Sequence, residues 1–162
     1  MTTLTTMTTL TTRAAQPEDD AFLRRLYAST RDDLRVLVAL DPAAVDTLIG
    51  MQAQAQAAGY RTTYPRAQYL VVERDGVPIG RLVLADDPTG TRLVDISLLP
   101  EAQGQGSGTT LLRRLQAAAA QRNVVLALSV LRTNPRARRL YVACGFVVVA
   151  EDAVRTEMVW RA

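Results

Sequence analysis

A glycine-rich segment, Gln103-Gly-Gln-Gly-Ser-Gly-Thr109, lies directly before a stretch with helical periodicity. Glycine lets the main chain come close to a ligand, and the first turn of a helix directs unsatisfied N–H groups and its positive dipole end to one point. Such a loop can hold a phosphate, with the hydroxyls of Ser107 and Thr109 as additional donors. The segment therefore predicts an anion-binding loop, and a merely flexible turn is the alternative.

A second group of polar residues surrounds the start of a later helix. Asn134, Arg138 and Tyr141 are four and seven residues apart, so a helix places them on one face within about 40 degrees. One ligand could contact all three side chains. Each also has an ordinary structural interpretation: Asn134 as an N-cap before a proline, Arg138 as a solvated arginine and Tyr141 as a half-buried aromatic residue.

The composition excludes several kinds of catalytic site. None of the 162 residues is His or Lys, and Cys144 is the single cysteine. This excludes a Ser-His-Asp triad, a Cys-His pair, a His or Cys zinc site, a Walker-type phosphate loop and a lysine Schiff base. We expect no metal site, and acid–base chemistry must come from Tyr, Asp, Glu, Arg or the main chain.

Charge and hydropathy narrow the class of partner and the compartment. The formal net charge is only +3 and aromatic residues make up 5% of the chain, which argues against a nucleic-acid partner. There is no apolar run of about 18 residues and no signal-peptide pattern. A lone cysteine fits a reducing compartment. We therefore expect a cytoplasmic protein with no membrane partner.

The elements that position these residues change type along the chain. Pro17 and Asp41-Pro42 are helix-start signals, and helices are expected to fill most of residues 17–58, with Gly59 ending the last of them. After Tyr64-Pro65 the apolar period becomes that of strands, with a tight turn at Asp75-Gly76. Strands are expected at 69–74, 77–85, 91–99, 124–131, 146–150 and 154–160, and helices at 107–122 and 134–144.

The amino terminus is repetitive, since residues 1–6 and 7–12 are the same six-residue unit. Such low complexity cannot bury a face. We expect a disordered leader over residues 1–7 and a short strand in the β-branched residues up to Ala14. No linker divides the rest, so residues 8–162 are expected to form one domain of ordinary size.

Two motifs in order resemble the GCN5-related N-acetyltransferases (GNAT family). Gln103-x-x-Gly106-x-Gly108 is similar to the family's pyrophosphate loop, and Asn134-x-x-Ala-x-x-Leu-Tyr141, followed by Gly145-Phe146, is similar to its last motif. The resemblance spans roughly residues 69–160. It implies an α/β (α+β) fold: a mixed, mostly antiparallel sheet of six or seven strands, splayed in the middle, with helices on both faces. Gln103 stands where Arg is commoner and Ser107 where an aliphatic residue is frequent, which allows a lower cofactor affinity.

The resemblance also implies site roles. Tyr141 corresponds to the general acid that protonates the leaving coenzyme A thiolate, and Asn134 to the asparagine that binds the pantetheine arm. Arg138 is a candidate for the cofactor phosphates. The main chain at Leu98, with Leu99 beside it, is expected to pair with pantetheine like an added strand. The pyrophosphate is expected on the loop residues Gln103, Gly104, Gln105, Gly106, Ser107, Gly108 and Thr109.

The group that takes the amine proton is the least determined. Asp95 is the candidate base, because an ionised carboxylate within an apolar strand needs a partner or a function, and some aminoglycoside-modifying relatives place an acid on this strand. A structural ion pair of Asp95 with Arg92 or Arg81 is the alternative. Glu73 is a reserve base, and a water chain is a third option.

We expect an N-acetyltransferase that moves the acetyl group of acetyl-CoA to a primary amine by direct attack. The acceptor, a small-molecule, peptide or protein amine, is left open, and Tyr60 and Tyr64 line its pocket by analogy. The alternatives are a non-catalytic acyl-CoA-binding sensor or scaffold of the same fold and an arginine-rich adaptor. Dimers are common in the family, so a homodimer is one expected assembly.

Overall fold

The computed structural model describes residues 8–39 and 41–162. The leader predicted at residues 1–7 lies outside this part of the chain. In chain order the elements are β1 (Leu10–Ala14), α1 (Asp20–Ser29), α2 (Arg35–Val38), α3 (Pro42–Thr63), β2 (Gln68–Arg74), β3 (Val77–Asp87), β4 (Gly90–Leu98), α4 (Ser107–Arg122), β5 (Val125–Leu131), α5 (Pro135–Ala143), β6 (Val147–Glu151) and β7 (Arg155–Trp160). No helix within these ranges is long and apolar enough to cross a membrane.

The strands form one sheet of seven in the order β1-β2-β3-β4-β5-β7-β6. Every neighbouring pair is antiparallel except β4 and β5, which are parallel. Parallel neighbours need a crossover connection, and α4 supplies it. The predicted mixed and mostly antiparallel sheet is confirmed, with seven strands.

The parallel pair separates part-way along its length. Residues 90–93 of β4 pair with residues 125–128 of β5, and the pairing then stops although both strands continue. At this point Val94 has no partner on β3, so β4 carries a bulge. A bulge bends its strand and increases the local twist. It therefore turns the end of β4 away from β5, which opens the predicted splay in the sheet.

Layers of helix cover both faces of the sheet. Leu82 and Val83 are consecutive in β3 and are 3% and 0% exposed. Because neighbouring strand residues point to opposite faces, both faces must be covered there. Leu82 belongs to the main apolar core together with residues of α4. On the opposite face, Tyr60 of α3 lies with its ring centre 5.9 Å from the guanidinium carbon of Arg81.

One predicted boundary is wrong, because α3 does not end at Gly59 but continues to Thr63. A glycine inside a helix costs about 1 kcal/mol relative to alanine. The additional turn carries the half-buried ring of Tyr60 over Arg81, and this packing offsets the cost. The helix ends before Pro65, since the residue preceding a proline avoids the helical conformation. The other predicted elements are present with ends shifted by one or two residues.

Candidate active site

The glycine-rich loop turns the chain from the end of β4 into α4. Gly104 and Gly106 have φ of +73° and +81°, a left-handed conformation that glycine adopts without strain. Gly106 is the N-cap of α4 and offers no side chain to the N–H groups of the first turn. By contrast, Asp41 and Asn134 cap α3 and α5, each accepting from a backbone N–H at 3.1 Å. The N terminus of α4 therefore presents uncompensated donors, which suits an anion.

The residues of the loop differ in their exposure to solvent. Gln103, Gly104, Gln105, Gly106 and Thr109 are exposed, whereas Ser107 is buried. A Cβ added at Gly108 would come within 3.3 Å of a methyl group of Leu140, so the first turn of α4 lies against α5. The exposed main chain of the loop is thus backed by a packed layer.

Arginines hold this loop, and Arg74 was not expected among them. As the last residue of β2, it donates hydrogen bonds to Oε1 of Gln105 and to the hydroxyl of Ser107. Arg114 of α4 donates to the main-chain carbonyl of Leu10 at 2.6 Å. The two arginines line a cavity of about 260 Å³ beside the loop. No sequence signal separates Arg74 from other arginines, because its contacts depend on the sheet bringing β2 beside the loop.

Gln103 bridges the two sides of the splay. Its Nε2 donates to the carbonyl of Leu98 at 2.9 Å, and its Oε1 accepts from Arg136 of α5 at 2.7 Å. The N–H of Leu99 donates to the carbonyl of Ile79 at 2.8 Å. The Leu98 carbonyl, where pairing with pantetheine was expected, is thus already in contact with the Gln103 amide. A carbonyl oxygen has two lone pairs, so a ligand amide can share it with Gln103 or replace Gln103.

The three residues of the second motif do not all face the same partner. Asn134 uses its carbonyl oxygen as the N-cap of α5, which leaves its amide N–H groups free to donate. The guanidinium of Arg138 forms an ion pair with Glu151 of β6 at 3.2 Å. The ring of Tyr141 is buried and packs against Phe146 at a centroid distance of 5.8 Å. Of the three residues predicted to share one helix face, Arg138 is therefore engaged in an ion pair, whereas Asn134 and Tyr141 are not.

The charge of Asp95 acts on the pKa values of two phenols. Burial, with the charge of Asp95 as the second cause, raises the pKa of Tyr141 to about 12. The same two causes act first on Tyr60 of α3, and they raise its pKa to about 12 as well. Both phenols are therefore protonated at neutral pH. The charge of one carboxylate, on the strand that diverges from β5, therefore acts on both phenols.

The carboxylate of Asp95 has a structural partner. Its Oδ2 accepts from Nε of Arg81 at 2.8 Å, and both of its oxygens lie 3.1 Å from the hydroxyl of Ser97. Arg81 also donates to Gln56 of α3 at 3.0 Å. The ion pair with Arg81 that the sequence left open is present, whereas Arg92 pairs with Glu157 of β7 at 3.2 Å.

Three other residues named from the sequence occupy structural positions. Glu73 of β2 accepts from Arg13 of β1 at 2.7 Å. Cys144 is buried at the end of α5, and Tyr64 caps the end of α3. Among the residues that the structure describes, no group of three or more acidic or cysteine side chains is arranged to hold a metal ion.

A comparison with protein families identifies the chain. The model described as the acetyltransferase (GNAT) family matches residues 42–146, about two thirds of the sequence, including the glycine-rich loop and the whole motif from Asn134 to Phe146. The chain belongs to the GNAT family. The matched region begins at α3, and it ends at Phe146, so this GNAT domain includes both the splayed strands and the two motifs.

Solved structures of other acetyltransferases share the fold. PaiA N-acetyltransferase from Thermoplasma acidophilum, in complex with coenzyme A, has a TM-score of 0.71 at 18% identity, covering 95% of this GNAT chain and 99% of that one. An acetyltransferase from Thermus thermophilus has a TM-score of 0.68 at 21% identity, covering 95% and 97%. A spermidine N-acetyltransferase chimera from Vibrio cholerae SpeG and hSSAT has a TM-score of 0.63 at 23% identity, covering 94% and 95%. At these identities the likeness establishes the fold. No curated protein sequence gives a significant match.

Proposed function

We propose that this GNAT protein transfers the acetyl group of acetyl-CoA directly to a primary amine. The combination of two features carries the proposal: α4 has an uncapped N terminus after the strand that diverges from β5, and Tyr141 has a buried, protonated phenol on which the charge of Asp95 acts. The first feature suits a diphosphate and the second suits a departing thiolate. The coenzyme A complex of the PaiA relative supports the choice of cofactor.

The fit of the loop to a diphosphate rests on its backbone. A Cβ added at Gly104 or Gly106 would meet no atom within 4 Å, so the surface of the loop is open to a ligand. We assign the diphosphate to the loop residues 103–109, with Thr109 as a hydroxyl donor. The free amide N–H groups of Asn134 and the main chain at Leu98 and Leu99 are assigned to the pantetheine arm. Arg138, which pairs with Glu151, would need to leave that partner to contact a phosphate.

Bound acetyl-CoA supplies a thioester whose carbonyl carbon an acceptor amine attacks, and the C–S bond breaks with the coenzyme A thiolate as leaving group. Tyr141 donates its phenolic proton to that sulfur. Its raised pKa keeps the proton on the phenol at neutral pH, while burial limits competition from water. Exchange with solvent returns the phenol to its protonated form.

Asp95 is assigned as the acceptor of the proton that the amine loses. It lies in β4, which diverges from β5 at the splay, and its charge acts on both Tyr60 and Tyr141. Arg81 and Ser97 hold the carboxylate in place without using all of its acceptor sites. The purely structural role of the Asp95–Arg81 pair is the competing interpretation.

The test is the release of coenzyme A thiol from acetyl-CoA across a library of primary amines. The proposal expects release that depends on the amine, with the acetylated amine identified by mass spectrometry. Slow hydrolysis that no amine accelerates, together with tight acetyl-CoA binding, would instead identify a sensor or scaffold. Binding of oligonucleotides that weakens steeply with salt would support the arginine-rich adaptor.

A further inference from the structure

Two carboxylates on the Tyr60 side of the sheet, those of Asp95 and Glu157, are matched by arginines. Arg92 and Asp95 flank the bulge at Val94, so they lie on the same face of β4. Asp95 pairs with Arg81 at 2.8 Å, and Arg92 reaches across β5 to Glu157 of β7 at 3.2 Å. Neither carboxylate is therefore left to attract an additional cation.

Arg155 adds a third guanidinium on this face. It is the first residue of β7 and lies two residues before Glu157, so both side chains project from the same face. Arg155 is exposed, and its guanidinium forms no hydrogen bond or ion pair within the described residues, although the charge of Asp152 acts on it. The nearby carboxylate of Asp152 directs Oδ1 to the main-chain N–H groups of Val154 and Arg155, each at 2.7 Å.

The charge of Arg155 reaches the region that holds Asp95. Arg155 and Arg81 both act to lower the pKa of Tyr60, against the larger raising effects of burial and Asp95. The hydroxyl of Tyr60 is thus within electrostatic range of Arg155 and of the Asp95–Arg81 pair. Asp95 and Glu157 are thus held in ion pairs with Arg81 and Arg92, whereas the guanidinium of Arg155 forms no hydrogen bond or ion pair within the described residues.

We propose that the acceptor is a primary amine that also carries a carboxylate, and that Arg155 binds this carboxylate. The inference rests on the proposed acetyl transfer and narrows its acceptor class. A guanidinium can form two parallel hydrogen bonds to a carboxylate, which would orient the acceptor with its amine directed to Asp95 and Tyr141. A polycationic amine without a carboxylate would gain no such bond and would be repelled by Arg155.

The test compares acceptors that differ only in the carboxylate. Suitable pairs are lysine with 1,5-diaminopentane, phenylalanine with 2-phenylethylamine, and a glycyl dipeptide with its carboxamide. In the wild-type protein, kcat/KM is expected to be higher for the carboxylate member of at least one pair by about tenfold or more, the value of a hydrogen bond to a charged group.

Variants of Arg155 separate this effect from general activity. Arg155→Ala should raise KM for the carboxylate acceptor and remove its advantage, while kcat/KM for the matched amine stays within about twofold. Arg155→Lys should keep part of the advantage, because the charge remains and the two-pronged geometry is lost. Arg161→Ala, at the opposite end of β7, is the matched control and should change neither value.

Each outcome decides the inference. Equal or better transfer to the amines without a carboxylate, or an advantage that survives in Arg155→Ala, overturns the proposed acceptor class and leaves acetyl transfer intact. Absence of transfer to every amine in both series and in the wider library overturns the proposed function itself, and this inference with it.

Discussion

The proposed cofactor side and the proposed acceptor side of the cleft are built in different ways. The proposed cofactor side uses seven consecutive residues, 103–109, whose main chain would face the ligand, and the side chains Arg74 and Arg136 support it from outside. The proposed acceptor side draws Tyr60, Asp95 and Arg155 from α3, β4 and β7. Binding by backbone donors requires a particular loop conformation. Selection by side-chain charges instead requires residues that the fold brings together from separate parts of the sequence.

This difference bears on the two departures from the family's loop pattern. Gln103 and Ser107 are held by Arg136 and Arg74, so both substituted positions are tied into the structure. The loop keeps its shape although two of its side chains differ from the commoner residues. Arg155 differs, because its guanidinium forms no hydrogen bond or ion pair within the described residues.

The largest expected effect comes from Gly106→Glu. It places a carboxylate at the N-cap of α4, where a diphosphate is expected, so acetyl-CoA affinity measured by calorimetry should fall by at least about 100-fold. Gly106→Ala is the control, because it has the same unfavourable left-handed backbone, costing about 1–2 kcal/mol, without the charge. Unchanged affinity in Gly106→Glu would refute the backbone site for the diphosphate.

Replacing Tyr141 by Phe separates chemistry from binding on the cofactor side. The ring remains packed against Phe146 while the proton donor is lost, so kcat should fall by about 10²–10⁴-fold with the acetyl-CoA dissociation constant unchanged. Tyr69→Phe is the control, since it removes a buried hydroxyl that has no hydrogen-bond partner, and it should leave turnover unchanged. Full turnover in Tyr141→Phe would remove Tyr141 from the role of general acid.

Asp95→Asn tests whether the acceptor side contributes chemistry as well as charge. If Asp95 takes the amine proton, kcat/KM should fall by about 10²-fold, and raising the pH should recover part of it as more of the amine is already deprotonated. Glu73→Gln is the matched control, because Glu73 is equally exposed at 17% and paired with Arg13 at 2.7 Å. An equal loss of stability in both variants, with activity retained in both, would leave Asp95 a purely structural role.

Arg74→Gln tests how far the loop depends on its external support. Losing the two hydrogen bonds to Gln105 and Ser107 should weaken acetyl-CoA binding by about tenfold and leave kcat at saturation unchanged. Arg113→Gln is the control, since Arg113 contacts Gln116 and the carbonyl of Cys144 on another side of α4. A decrease in kcat with unchanged affinity would contradict a supporting role for Arg74.

The smallest expected effect is a pH dependence of the free energy of unfolding, to which the phenols Tyr60 and Tyr141 both contribute. Tyr60 and Tyr141 have pKa values near 12 in the folded chain, above the value of about 10 for a free phenol. The unfolded chain therefore loses these protons first, and the free energy of unfolding should decrease as the pH rises from about 10 to about 12. In a pH titration followed by phenolate absorbance, part of the signal should rise only near pH 12, and Tyr60→Phe and Tyr141→Phe should each reduce that part. Ionisation of both phenols near pH 10 would contradict their burial beside Asp95.

The elements were largely predictable because their signals are local. Alternating apolar residues, the Asp75-Gly76 turn and the proline start signals need only short-range geometry, and they predicted every long strand and helix. The end of α3 was missed because packing of Tyr60 on Arg81 outweighs the helix cost of Gly59. Propensity describes a residue in isolation, whereas the boundary was decided by a contact across 21 positions in sequence.

By itself the sequence determined the glycine loop, the cap at Asn134, the position of Tyr141 on its helix and the residue types that exclude histidine, lysine and cysteine-cage chemistry. Only the tertiary structure decided which charges are neutralised: Asp95 by Arg81, Glu157 by Arg92 and Arg138 by Glu151. The physical reason is the distance over which each kind of interaction acts. Backbone conformation and helix periodicity act between neighbours in the chain, while electrostatic pairing follows distance in space, which strand order and the bulge at Val94 establish.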